Sequence, residues 1–396
     1  MAADGSVLIF DAKQRRMSAP FRPFFLIAGL DAIVGPAVWL PSTFGIQAIG
    51  PTGISPGDWH RDVLLFGMVP AILTGFLLTA LPRWTGRRAV SPLTTRLLVA
   101  LWLCSRGTFL FRSHSAGLAL YAFLVLTLLL IAAGRVIASR DRRNLKILFL
   151  LLAFCGGNIL AAASYQVEFA LRLALASIVG LVMIIGGRVV PALTVAYVES
   201  AGGRISVNRS AVLEYAAAAI AACALGLWVV APQAQLTGVA CALAACGQTM
   251  RAAQWNGWRS AASATALALH IGYGWIIVGF GLLAIHILAP EWLGQAAAVH
   301  AWTIGAIGTM ALAIMASMIR KHSHRAFASS APTTGAFIAM TTCCLSRLLV
   351  ELLPDYGTGL TNLSGAMWVV AFGLFVTAFR RMLILRKTKP DCRSTS

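Results

Sequence analysis

Apolar runs of membrane-spanning length recur from residue 24 to residue 385, and that recurrence decides most of what the chain can fold into. A helix that crosses the hydrocarbon core of a bilayer needs about 20 mostly apolar residues. Twelve such spans are predicted: 24–41, 62–82, 95–112, 116–138, 145–163, 169–190, 211–230, 236–251, 264–288, 296–318, 332–353 and 364–385. Breaks fall where Pro, Gly and charge cluster, as in Pro41–Asp58 and Pro82–Pro92. No connection is long enough to fold as a soluble domain. Composition agrees, since only 11% of 396 residues are charged, less than half the roughly 25% usual in soluble domains. The first apolar stretch lacks a small-residue cleavage site and reads as a retained helix. The expectation is an all-α, polytopic membrane protein with one transmembrane domain over 1–396, an N-terminal tail at 1–22 and a C-terminal tail at 386–396.

A formal net charge of +19 would suggest nucleic acid if the charge were gathered in a patch. It is distributed instead. With the N-terminus in the cytoplasm, 27 of the 32 Lys and Arg residues fall on cytoplasmic segments; the exceptions are Arg61, Arg106, Arg112, Arg172 and Arg347. That is the positive-inside bias, an orientation signal that puts both termini in the cytoplasm. The expected partner is the lipid bilayer and not nucleic acid. The five lysines include none in a GxxxxGK setting, which excludes a P-loop module. Seven of the eight cysteines lie inside predicted helices, with Cys392 in the tail, and no CxxC occurs. They read as small hydrophobes.

Ionisable groups inside a bilayer are costly, so each is a candidate for function. Helix geometry sorts the histidines by depth. His286 and His300 flank the short turn Ala289–Gln295, and His60 enters helix 2 at the same level. His270 is about 24 Å deeper than His286 on helix 9. His322 and His324 lie at the opposite mouth of helix 10. The outer set of His60 and His300, with His286 in reserve, has the ligands for haem or copper, because imidazole suits both metals. The plainer reading has each histidine binding water or headgroups at a helix end. His270 is the inner candidate, at the depth of Met310 and Met315, which read equally as core filling.

Arg106 in helix 3 and Arg172 at the start of helix 6 lie toward the outer side and are suited to gripping carboxylates. Internal acids or backbone carbonyls are their alternative partners. Arg188, in Gly186-Gly187-Arg188-Val189-Val190-Pro191, offers the same grip at the inner end of helix 6 and is a further cofactor-binding candidate. Asp31 and Asp62 are the acids that could move protons or neutralise an arginine. Glycines at 272, 274, 279, 281, 305 and 308 allow close helix approach or room for a flat cofactor. No Ser/His/Asp arrangement, HExxH or helically spaced carboxylate pair is present.

Several strings resemble the NnrS family: Phe21-Arg22-Pro23-Phe24-Phe25-Leu26; Trp59-His60 followed by Leu65-Phe66-Gly67; Gly75-Phe76-Leu77-Leu78-Thr79-Ala80-Leu81-Pro82; and Trp84-Thr85-Gly86-Arg87. Asn144-Leu145, Arg172-Leu173-Ala174-Leu175 and the Gly186–Pro191 string continue it. His270-Ile271-Gly272-Tyr273-Gly274-Trp275, the run from His300 to Gly308, and His322 complete it. The resemblance covers nearly the whole chain in order; helices 7, 8, 11 and 12 match only as apolar sequence. It implies a twelve-helix protein of the bacterial inner membrane that contains haem and copper and acts in the response to nitric oxide and nitrosative stress. It also implies His60, His270, His300 and His322 as ligand candidates, and a role rather than a defined reaction.

One string departs from the family. The usual Trp-His-x-His-Glu reads Trp59-His60-Arg61-Asp62-Val63 here, so Asp62 replaces a histidine and Arg61 adds a cation. Both changes weaken a copper site, and a haem with one ligand from His60 survives them better. The expected arrangement is haem between helices on His60 and His300, with Arg106 and Arg172 on its propionates and His270 and His322 as a second, inner site. Nitric oxide or its iron adducts would be the small-molecule partner, alongside a redox partner. The alternatives are a cofactor-free secondary transporter using Asp31, Arg188 and His270, and a structural or assembly partner of respiratory complexes.

Overall fold

The computed structural model describes residues 19–41, 54–111, 113–140, 142–205, 207, 209–323, 325 and 327–384. The two predicted tails, apart from residues 19–22, lie outside these, as do His324, Arg112 and Cys392. Among the described residues twelve long helices follow one another. They are α1 (Phe21–Trp39), α2 (Pro56–Thr85), α3 (Pro92–Leu110), α4 (His114–Ser139), α5 (Leu145–Ala162) and α6 (Val167–Ser200). The chain continues through α7 (Ala211–Val230), α8 (Gln235–Ala253), α9 (Ala264–Leu288), α10 (Gln295–His322), α11 (Ala331–Leu352) and α12 (Gly357–Ile384). Ten are long and apolar enough to cross a membrane. The other two, α3 and α8, have the length, but Arg96 and Arg106 in one and Gln248 and Arg251 in the other lower their hydropathy. The chain is an all-α, multi-pass membrane protein.

Every fourth helix is central. The apolar window of α2 is 78% buried, that of α6 67% and that of α10 78%, against 50% or less in the other seven membrane-length helices. The remaining helices surround these three, and α12 closes the circle on α1, where Trp368 Nε1 donates to the Ala32 carbonyl at 2.9 Å. Midway along the bundle a partly open apolar pocket of about 70 Å³ lies between the three central helices and Phe25 of α1, with a lining that includes Val69, Phe76, Leu181, Ile307 and Met310.

Small residues set the close approaches, as packing in lipid favours. A Cβ on Gly75 would lie 2.8 Å from Phe24 Cβ, so α1 fits against α2 only at a glycine. On α9 and α10 the exchange is reciprocal: the Trp302 ring fills the space over Gly279, and Trp275 fills that over Gly305. These two glycines of the His270–Gly308 region accommodate indoles of the chain itself.

Two kinds of difference from the expected helices bear on the candidate residues. First, α2 begins at Pro56, six residues before the expected residue 62, because the Ser55 hydroxyl caps the Asp58 N–H at 3.0 Å and Pro56 suits the first turn. His60 therefore sits within the helix. Likewise α6 continues through Pro191 to Ser200, ten residues past the expected end at 190. Second, α2 and α10 each contain a π-helical stretch, Val63–Met68 and Ala301–Gly308. Pro70 has no N–H to offer the Phe66 carbonyl, which gives the widened turn in α2 a local cause.

Candidate functional site: the His60–His300 end

His60 and His300 lie at one end of the bundle, on two central helices, each just before a π-helical stretch. π-Helical turns concentrate at functional sites because they redirect side chains within an otherwise regular helix. The Trp39 ring lies 4.9 Å from the His60 ring, nearly edge-on. His60 Nδ1 is buried with no hydrogen-bond partner among the described residues. His300 is held differently: its Nδ1–H donates to the Ala296 carbonyl at 2.7 Å, which fixes the tautomer and leaves Nε2 with a lone pair. The two rings and Arg347 of α11 lie within electrostatic range of one another. Cys344, one turn before Arg347, brings its Sγ to 4.0 Å from the His300 carbonyl.

The substituted motif beside His60 is closed by its own partners. Arg61 Nε donates to Asp62 Oδ1 at 2.8 Å, and its Nη1 pairs with Asp58 at 2.8 Å. His114, the first residue of α4, reaches Asp62 Oδ2 at 2.8 Å. An imidazole from another helix thus stands against Asp62; nothing in the local sequence marks His114 for this position.

Beneath His60, Arg106 Nη2 pairs with Asp31 Oδ1 at 2.8 Å, both side chains buried, and the guanidinium lies 5.2 Å from the Trp59 ring centroid. The Asp31 Oδ2 and Tyr121 hydroxyl oxygens both face Gly67, where a Cβ would lie 3.4 and 3.3 Å from them. Arg172 Nε points at the Val229 carbonyl at 3.5 Å, a long contact. His286 Nδ1–H donates to Leu293 O at 2.9 Å and closes the α9–α10 turn.

The remaining candidates sit toward the opposite end. Thr194 gives its hydroxyl proton to the Val190 carbonyl, so His270 Nε2–H donates to Thr194 Oγ1 at 2.9 Å. That leaves His270 Nδ1, which faces Gly257. His322 packs on Phe21 of α1 with ring centroids 5.1 Å apart. Arg188 joins three of the recurrent strings: it donates to Asn144 Oδ1 at 2.9 Å and Arg143 O at 2.8 Å, and lies 5.9 Å from the Trp84 ring centroid. Met310, at the depth expected for His270, lies on Gly272 and Gly186.

A further buried cluster was not anticipated. Arg251 of α8 pairs with Glu214 of α7 at 2.8 Å and donates to the Tyr273 hydroxyl of α9 at 2.7 Å, while Tyr273 donates to Gln248 at 2.6 Å. Its members are distant in sequence, and only Arg251's place near a helix end hinted at it. Among the described residues no three His, Cys, Asp or Glu side chains gather in a group that could hold a metal ion.

The family model described as "NnrS protein" matches residues 16–387, nearly the entire chain. No curated protein matches the chain.

Proposed function

The chain belongs to the NnrS family, membrane proteins of the nitric oxide response, and from that premise we propose that it holds haem between α2 and α10 through His60 and His300. The observation that carries this reading is the pair itself: two imidazoles from two central helices, one with a buried, unbonded Nδ1 and one fixed by Ala296 with its Nε2 left over. This donor set fits bis-histidine haem better than a copper centre, which wants more nitrogen or sulfur ligands than gather here. Haem, when bound, would supply an iron that changes oxidation state.

The protein's own part is to position and to shield. Ala296 fixes the His300 tautomer, Trp39 walls the His60 ring, and the Asp31–Arg106 pair holds Trp59 from below. Arg106, engaged by Asp31, supports the site from beneath, while Arg172 is engaged by the Val229 carbonyl. The positive-inside count favours an orientation with this end toward the periplasm of a bacterial inner membrane and both termini cytoplasmic. The transporter alternative has less support, since Asp31, Arg188 and His270 are each engaged with separate partners, Arg106, Asn144 and Thr194.

Protein purified without a His-tag from haem-replete cells should show a Soret band, with iron and little copper on metal analysis. His300→Ala should remove or reshape the band while membrane insertion is unchanged. A colourless wild-type protein would sink the haem reading.

A further inference from the structure

Arg347 is the unabsorbed charge of the His60–His300 end. It stands on α11, half-buried, one turn beyond the Cys344 that touches the His300 carbonyl, and within electrostatic range of both imidazoles. Other arginines on this side have partners: Arg61 has Asp58 and Asp62, and Arg106 has Asp31. Arg347 makes no hydrogen bond or ion pair among the described residues. Glu351, one turn further along α11, acts on it electrostatically without reaching ion-pair distance. Its guanidinium nitrogens keep surface access, so a ligand can reach them, and a cation at this end without a fixed partner fits a site whose counter-charge comes from a ligand.

We propose that Arg347 is the anion-binding residue of the His60–His300 end, and that it takes a carboxylate or another planar oxyanion. Its planar fork matches two oxygens of such a group, a geometry that lysine cannot reproduce. Two sources offer this chemistry. One is a propionate of the haem, which rests on the reading above; the other is a free oxyanion entering from the aqueous face, which does not.

The test uses the full chain in detergent, as wild type, R347Q and R347K. In haem-replete protein, haem retention through washing and the midpoint potential are measured. In haem-free protein, the melting temperature is followed against sodium formate, with chloride at matched ionic strength as the control. If the cofactor carboxylate is the source, R347Q binds haem roughly ten- to a hundredfold more weakly, the worth of one charge-assisted contact, or shifts its potential. If a free oxyanion is the source, formate stabilises the wild type and not R347Q, with R347K between them. That second result stands even if the wild type carries no haem, an outcome that removes only the haem reading. Without a ligand, R347Q should melt at or above the wild-type temperature, because no partner is left unpaired. A destabilised R347Q would mark Arg347 as structural and overturn the proposal. So would haem retention, potential and formate response all unchanged, which would leave the haem reading standing.

Discussion

Gly187 has no side chain because the Arg251 guanidinium occupies the space that one would need. The position has a second role: Pro191, four residues on, has no N–H for the Gly187 carbonyl, so a cation rests against the turn whose hydrogen bond is missing. Gly187→Ala should push Arg251 away from Glu214 and Tyr273 and cost on the order of 3 kcal/mol, the scale for breaking a buried ion pair. Thermal melting of the detergent-solubilised protein reads this. In an Arg251→Met background the same glycine change should be nearly neutral, and an equal loss in both backgrounds would show that Arg251 is not the obstacle. The Gly186–Pro191 string was visible in the sequence, but the guanidinium it accommodates was not, since it comes from a helix more than sixty residues away. The same limit applies at the proposed site. His60 and His300 stood out because a histidine in an apolar helix is conspicuous and its depth follows from counting residues. Counting gives no azimuth, so Arg347 and His114 were indistinguishable from other charged residues near helix ends until α11 and α4 were placed.

At the scale of elements, all twelve helices were legible, because each is a long apolar run ended by Pro, Gly or charge. The π-helical stretches in α2 and α10 were not, because Val63–Met68 and Ala301–Gly308 are as apolar as the turns around them and hydropathy does not register one extra residue per turn. Those stretches set the direction of the residues that precede them. In α2 the part from Val69 onward is fixed in register by Phe24 against Gly75, while His60 lies on the other side of the widened turn. Pro70→Ala should return an N–H to the Phe66 carbonyl and let the stretch wind at α-helical pitch with all its residues kept, which turns His60 by about 100° relative to Val69–Thr85. The expected result is a protein that inserts and melts close to wild type but has lost the His60 contribution to its haem spectrum. An unchanged spectrum would show that the π stretch does not aim His60.

At the scale of the whole molecule, α2, α6 and α10 form the centre and nine helices surround them. In the proposed orientation α1 leaves the cytoplasm, so the first residues of these three even-numbered helices, and both proposed ligands, would face the periplasm. A C-terminal reporter that fluoresces only in the periplasm should therefore stay dark, and a lit reporter would invert the whole assignment. The same three helices leave the mid-bundle cavity between them, and its contents can be tested through stability. A closed, empty void of about 70 Å³ would forfeit packing contacts worth about 1.7 kcal/mol at about 24 cal/mol per Å³, and a partly open one forfeits less. Ala311 of α10 is among the lining residues, and Ala311→Leu adds three carbons beside that space. If the cavity is empty, the variant should gain up to about 1.5 kcal/mol, seen as a higher melting temperature in detergent. If the space already holds an acyl chain end or a small apolar molecule, the added carbons must displace it or strain the three helices, and overpacking costs about 1–3 kcal/mol. The sign of the shift separates the cases: a rise means that α2, α6 and α10 stand apart around nothing, and a fall means that something apolar already occupies the space between them.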